Sequence, residues 1–159
     1  TIVDPNAWVD GVSDFADHEH PGAGGANRYM WAVQDRLIGG EMAADSSYTP
    51  TAVAGTNIAV VTPSVANWYR VGNLVTVYGF VTVDPTTTGD SRFTHTLPVA
   101  PDANFSQSYE LSGVGSVTAG IQQALGIFAT TGAKTADFDF SAVDGTSRVF
   151  RYQFSYRVK

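Results

Sequence analysis

The chain has 159 residues, 43% of them hydrophobic and 15% charged, with no cysteine and a net charge of −6. That apolar share supports one sizeable core and excludes a disordered chain, while the missing cysteines exclude a disulfide framework and a thiolate zinc site. Residues 1–45 carry eight acidic and two basic side chains and the remainder seven of each, so no basic stripe exists for nucleic acid.

No apolar run approaches the roughly 18 residues needed to cross a bilayer, so membrane insertion is not expected. The first residues lack the basic and apolar regions of a signal peptide. Residues 1–25 read as irregular. Asp4-Pro5-Asn6 and Asp10-Gly11 are turn signals, and Trp8 and Phe15 are candidate anchors. Asp17-His18-Glu19-His20 leads into Pro21-Gly22-Ala23-Gly24-Gly25, which is too rich in Gly and Pro for regular structure. Asn27 suits an N-cap, the pattern predicts a short α-helix over 28–38, and Gly39-Gly40 suits its end. Met30, Val33 and Leu37 form one apolar stripe, widened by Trp31 and Ile38. A helix of about 11 residues is marginal alone and must pack on something. Residues 41–47 read as a linker.

From Tyr48 onward helical periodicity vanishes. Short strands are predicted over 48–53, 58–62, 68–71, 74–84, 91–97, 112–119, 122–131, 135–142 and 147–158, with turn residues between them. This spacing predicts an all-β, antiparallel β-sandwich (jelly-roll-like) over 48–159, preceded by an irregular N-terminal arm with one short helix over 1–45. The central stretch is a hairpin turning at Gly72-Asn73. In its second strand Val75, Val77, Val81 and Val83 form a core row, interrupted by Gly79, which marks a bulge or a place where another backbone comes close. In the last strand Phe150, Tyr152, Phe154, Tyr156 and Val158 share one face, and Arg151, Gln153, Ser155 and Arg157 the other.

Chemistry-bearing residues are few. His18 and His20, at i and i+2, point to one side of an extended segment, so both imidazoles can converge. Two imidazoles are too few for a tight site, but three chains around a threefold axis supply six, enough for a divalent transition metal. The competing reading is a solvated acidic loop in which Asp17 and Glu19 pair with the imidazoles. His95 reads as an ordinary strand residue. Asp137 and Asp139 share the face opposite Phe138 and Phe140, which predicts a solvent face rather than the carboxylate pair of a glycosidase. No nucleophile elbow and no strand–loop–helix phosphate loop is present, so no enzymatic activity is expected. Trp68, Tyr69 and Arg70 are candidates for a surface ligand such as a glycan, against a role in core packing.

Tyr48-Thr49-Pro50-Thr51, the run from Trp68-Tyr69-Arg70 through Gly72-Asn73 to Val75-Thr76-Val77-Tyr78-Gly79, and Leu97-Pro98-Val99 occur in that order. Together they resemble a C-terminal domain of tailed-bacteriophage virion proteins, among them head and tail fibres, minor tail proteins and capsid decorations. The resemblance covers roughly residues 48–159. It implies a β-sandwich, often a homotrimer, with a binding or architectural role in the virion. The His18-x-His20 pair before a Gly-rich run also resembles segments that hold a metal on the threefold axis of phage fibres. On this reading Trp8, Phe15, Tyr29 and Trp31 of the arm contact other virion proteins, and the displayed sandwich contacts a host-surface glycan. The rival expectation is a carbohydrate-binding module or a minor tail receptor-binding protein.

Overall fold

The computed structural model describes residues 44–158. The predicted arm and its helix, His18, His20, Trp8, Phe15, Tyr29 and Trp31 therefore lie outside the described residues. Ten strands follow one another: β1 (Ala44–Tyr48), β2 (Ala52–Ala54), β3 (Ile58–Pro63), β4 (Ala66–Val71), β5 (Leu74–Pro85), β6 (Gly89–Thr96), β7 (Leu111–Val117), β8 (Ala124–Ala129), β9 (Thr135–Ala142) and β10 (Arg148–Arg157). A 3₁₀ turn, Ser108–Glu110, precedes β7. The fold is all-β and sandwich-like, as the spacing of strands and turns predicts. Residues 44–47 correct one expectation: instead of a linker they are strand, paired antiparallel with β4 through Ala44–Arg70 to Tyr48–Ala66.

The strands form one continuous antiparallel sheet in the order β1-β4-β5-β10-β7-β8-β9-β6-β2, with β3 also pairing β5. The sheet curls until β3, paired with β5, comes against β2 and β6. The N–H of Gly55, after β2, donates to Arg92 O at 3.1 Å, and the N–H of Arg92 donates to Thr56 O at 2.9 Å. Asn57 turns the next corner at φ 54°, a left-handed conformation that Asn tolerates. Its side-chain amide donates to Thr87 O and Ser91 Oγ, both at 2.9 Å, tying the start of β3 to the β5–β6 turn.

Curling puts the alternating apolar rows inside. Val75, Val77, Val81 and Val83 of β5 are fully buried, as are Phe93 of β6, Leu111 of β7, Ile127 of β8, Phe138 of β9 and Phe150 of β10. The rings of Phe93 and Phe138 stack at 4.8 Å and those of Phe140 and Phe150 lie 4.9 Å apart. Such pairs add about 0.5–1.5 kcal/mol beyond the area they bury.

β10 lies between β5 and β7 and supplies the largest rings. Its neighbours make room for them. Tyr152 faces Gly79 on β5 and Gly115 on β7, and Phe154 faces Gly113. At Gly79 the register is continuous and the close neighbours are side chains, so the glycine marks neither a bulge nor a near backbone: a Cβ there would sit 2.9 Å from the Tyr152 hydroxyl. At the β4–β5 turn Gly72 alone takes positive φ (57°), as in hairpin turns whose first central residue is left-handed.

Candidate ligand-binding cleft

Two of the three segments that carry the family resemblance, 48–51 and 97–99, fasten the fold. The Tyr48 hydroxyl donates to Thr96 O at 3.3 Å. Thr51 and Thr96 exchange two bonds, Thr96 N–H to Thr51 O at 3.0 Å and Thr51 N–H to the Thr96 side-chain Oγ1 at 2.9 Å. Val99 is held by Tyr156, whose hydroxyl donates to Val99 O at 2.7 Å and accepts from Val99 N–H at 3.3 Å. Burial raises the hydroxyl pKa of Tyr48, Tyr152 and Tyr156 alike, so all three stay neutral.

Trp68, Tyr69 and Arg70 do not form one surface. Successive strand residues point to opposite faces. Trp68 is partly buried against the core, Tyr69 is exposed, and Arg70 turns its Nε onto Gly72 O at 2.7 Å, near its own hairpin.

Two further residues depart from their sequence reading. Asp137 does lie opposite the Phe138 row, yet it is only 2% exposed. Arg92 lies over it, with Nε donating to Asp137 Oδ1 at 2.7 Å and Nη2 to Oδ2, and the same Nε stands 3.3 Å from Asp139. Burial raises the pKa of Asp139, an effect that Arg92 partly opposes. The pair is thus a structural ion cluster. His95 is no ordinary strand residue. It is 0% exposed, ringed by Phe93, Phe138 and Tyr152 at 5.3, 4.5 and 5.7 Å, and neither ring nitrogen has a hydrogen-bond partner among the described residues. Among those residues no group of three or more His, Cys, Asp or Glu is placed to hold a metal.

A concavity lies elsewhere, beside residues 98–104, whose Pro and Asn content reads as a turn. A cleft of about 320 Å³ opens between the 101–110 loop and the ends of β5, β7 and β10. Leu74, Ser112, Ser155 and Arg157 line it from the strands, and Asp102, Asn104, Phe105 and Tyr109 from the loop. Bonds to the β8–β9 turn hold the loop. Phe105 N–H donates to Ala133 O (2.9 Å), Gly132 N–H to Phe105 O (2.8 Å), Asn104 Nδ2 to Gly132 O (2.8 Å) and Lys134 Nζ to Asp102 O (2.9 Å). The Glu110 carboxylate accepts from Gln107 N–H at 2.9 Å and fixes the turn that projects Tyr109. Phe105 is buried, edge-on to Tyr156 at 6.3 Å. Tyr109 is 77% exposed. The sequence signal, visible in retrospect, is a lone aromatic set among Ser106, Gln107, Ser108 and Glu110.

No family model matches the chain, and no curated protein matches its sequence. Among solved structures, the C-terminal receptor-binding domain of avian reovirus fibre sigmaC is similar, with a TM-score of 0.52 at 16% identity, over 74% of this chain and 78% of that one. At this identity the likeness establishes a shared fold: the β-domain described above is built like the receptor-binding domain of a viral fibre.

Proposed function

We propose that the protein is a non-catalytic structural component of a bacteriophage particle: a homotrimeric spike, head-fibre or decoration protein. Residues 1–45 anchor it to other virion proteins, and the β-domain is displayed toward the host surface. The observation that carries this reading is the fold shared with a viral fibre receptor-binding domain. The ordered set Tyr48-Thr49-Pro50-Thr51, Trp68 to Gly79 and Leu97-Pro98-Val99 supports the phage assignment by resemblance. A role in display rather than hydrolysis agrees with Asp137 and Asp139 both being engaged by Arg92. The proposal includes a divalent transition metal on the threefold axis, bound by His18 and His20 of three chains. Those residues lie outside the described residues, and the proposal for them rests on their spacing.

The test is solution mass by light scattering of the full chain, with and without a chelator. Three copies of the 16.9 kDa chain are expected, loosening when the metal is withdrawn. A trimer indifferent to chelator removes the metal and keeps the assembly. A monomer at every concentration overturns the homotrimer and the spike built on it.

A further inference from the structure

We infer that the cleft under Tyr109 binds one hexopyranose unit of a neutral surface glycan. This inference rests on the reading of the domain as a displayed attachment module and names its ligand class and site. Three properties of the cleft point to that class.

The first is shape and surface. At about 320 Å³ the cleft is at the small end of ligand sites, suited to one ring rather than to a peptide. Leu74 and Phe105 give its wall an apolar character, and Tyr109 stands beside it with most of its ring in water. An exposed ring next to a small cleft offers a flat apolar platform. A pyranose presents a matching face of C–H groups with hydroxyls around its rim.

The second is the polar complement. Asp102 and Arg157 line the cleft with opposite charges, and neither side chain has a hydrogen bond or ion pair among the described residues. A carboxylate accepts from hydroxyls and a guanidinium donates to them, so the pair suits a ligand that both donates and accepts. With Glu110, whose carboxylate is held by Gln107 N–H, the lining carries two carboxylates to one guanidinium, so a neutral polyhydroxylated ligand fits better than an acidic sugar, which the carboxylates would repel. Asn104 and Ser112 add an amide and a hydroxyl.

The third is preorganisation. The loop is tied to the β8–β9 turn by backbone and side-chain bonds, and the Glu110 carboxylate holds the turn before Tyr109. Little ordering entropy remains to be lost on binding, which is how a shallow site retains affinity for a weakly held sugar.

The experiment is an array of purified bacterial surface polysaccharides and neutral and acidic oligosaccharides, probed with the full chain and with Tyr109→Ala, Asp102→Asn and Tyr78→Ala. Tyr78 is exposed and does not line the cleft, so it serves as the control. Circular dichroism checks that each variant folds. The expected result is binding to one or more neutral glycans, reduced at least tenfold by Tyr109→Ala and by Asp102→Asn and unchanged by Tyr78→Ala. Binding to none of the glycans, to acidic glycans alone, or with equal strength by folded Tyr109→Ala and Asp102→Asn variants, overturns the inference. Light scattering on the same samples separates the two readings. A trimer that binds no glycan loses only the cleft, whereas a monomer that binds through Tyr109 loses only the spike.

Discussion

The hydroxyl of Tyr156 donates to the backbone carbonyl of Val99 at 2.7 Å, joining the penultimate residue of the last strand to a loop 57 residues earlier. Tyr156 also contacts Phe105 and lines the cleft, so this one side chain fastens the loop and shapes the site. Tyr156→Phe removes the hydroxyl and leaves the Val99 carbonyl without that donor. A lost bond of this kind costs about 1–2 kcal/mol. The expected outcome is a lower urea midpoint with an unchanged m-value, together with faster hydrogen exchange at Val99. An unchanged midpoint would show that water replaces the bond without cost.

Gly79 lies directly across from Tyr152, and an added Cβ would stand 2.9 Å from both the Tyr152 hydroxyl and the Ala66 Cβ. Gly79→Ala therefore overpacks the core and should cost about 1–3 kcal/mol. The Tyr152 hydroxyl is itself buried with no hydrogen-bond partner among the described residues. Tyr152→Phe alone should then be close to neutral, and in combination it should recover part of the Gly79→Ala loss. Chemical denaturation of the four proteins in a double-mutant cycle measures this coupling. Simple additivity would contradict the packing described.

The Arg92–Asp137 pair is asymmetric, because the Arg92 side chain is half-exposed while Asp137 is buried. Removing the arginine strands a buried carboxylate, and removing the aspartate leaves a cation that water can reach. Uncompensated buried charges cost about 3–5 kcal/mol. Arg92→Met should accordingly destabilise the domain clearly more than Asp137→Asn when their urea midpoints are compared at pH 7. The opposite ranking would mean that water reaches Asp137.

Burial lowers the His95 pKa from 6.5 to about 3. The unfolded chain thus takes up this proton before the folded one does. The stabilising contribution is full above pH 6.5 and is lost as the pH falls from there toward 3, by up to about 1.4 kcal/mol per unit. Between pH 6.5 and 4.5 the wild type should lose about 2 kcal/mol more stability than His95→Leu. Parallel stability–pH curves for the two proteins would show that His95 does not titrate differently on folding.

Much of this molecule is determined locally. Alternation is a property of the pleat itself, so the valine row of β5 and the aromatic row of β10 announced both their strands and their buried faces. The bounds of β9, 135–142, follow from the same period and from the turn at Gly132-Ala133. Gly79 reads in sequence as a bulge or a close backbone, and only the β5–β10 register decides that the Tyr152 ring fills the gap.

Alternation says which face a residue occupies, but not what covers that face. Asp137 points outward as its position requires and is still buried, because Arg92, 45 residues earlier, is brought over it by the β6–β9 register. His95 carries no mark in sequence of the rings that β9 and β10 add to its neighbour Phe93. Strand β1 is likewise invisible in Ala44-Asp45-Ser46-Ser47, whose composition suits a linker until pairing with β4 takes up its backbone groups. The cleft gathers Leu74, Asp102, Tyr109, Ser112 and Arg157 from segments far apart in the chain. A local period cannot encode that convergence, since it depends on the order in which β5, β10 and β7 pair and on where the 101–110 loop is fastened.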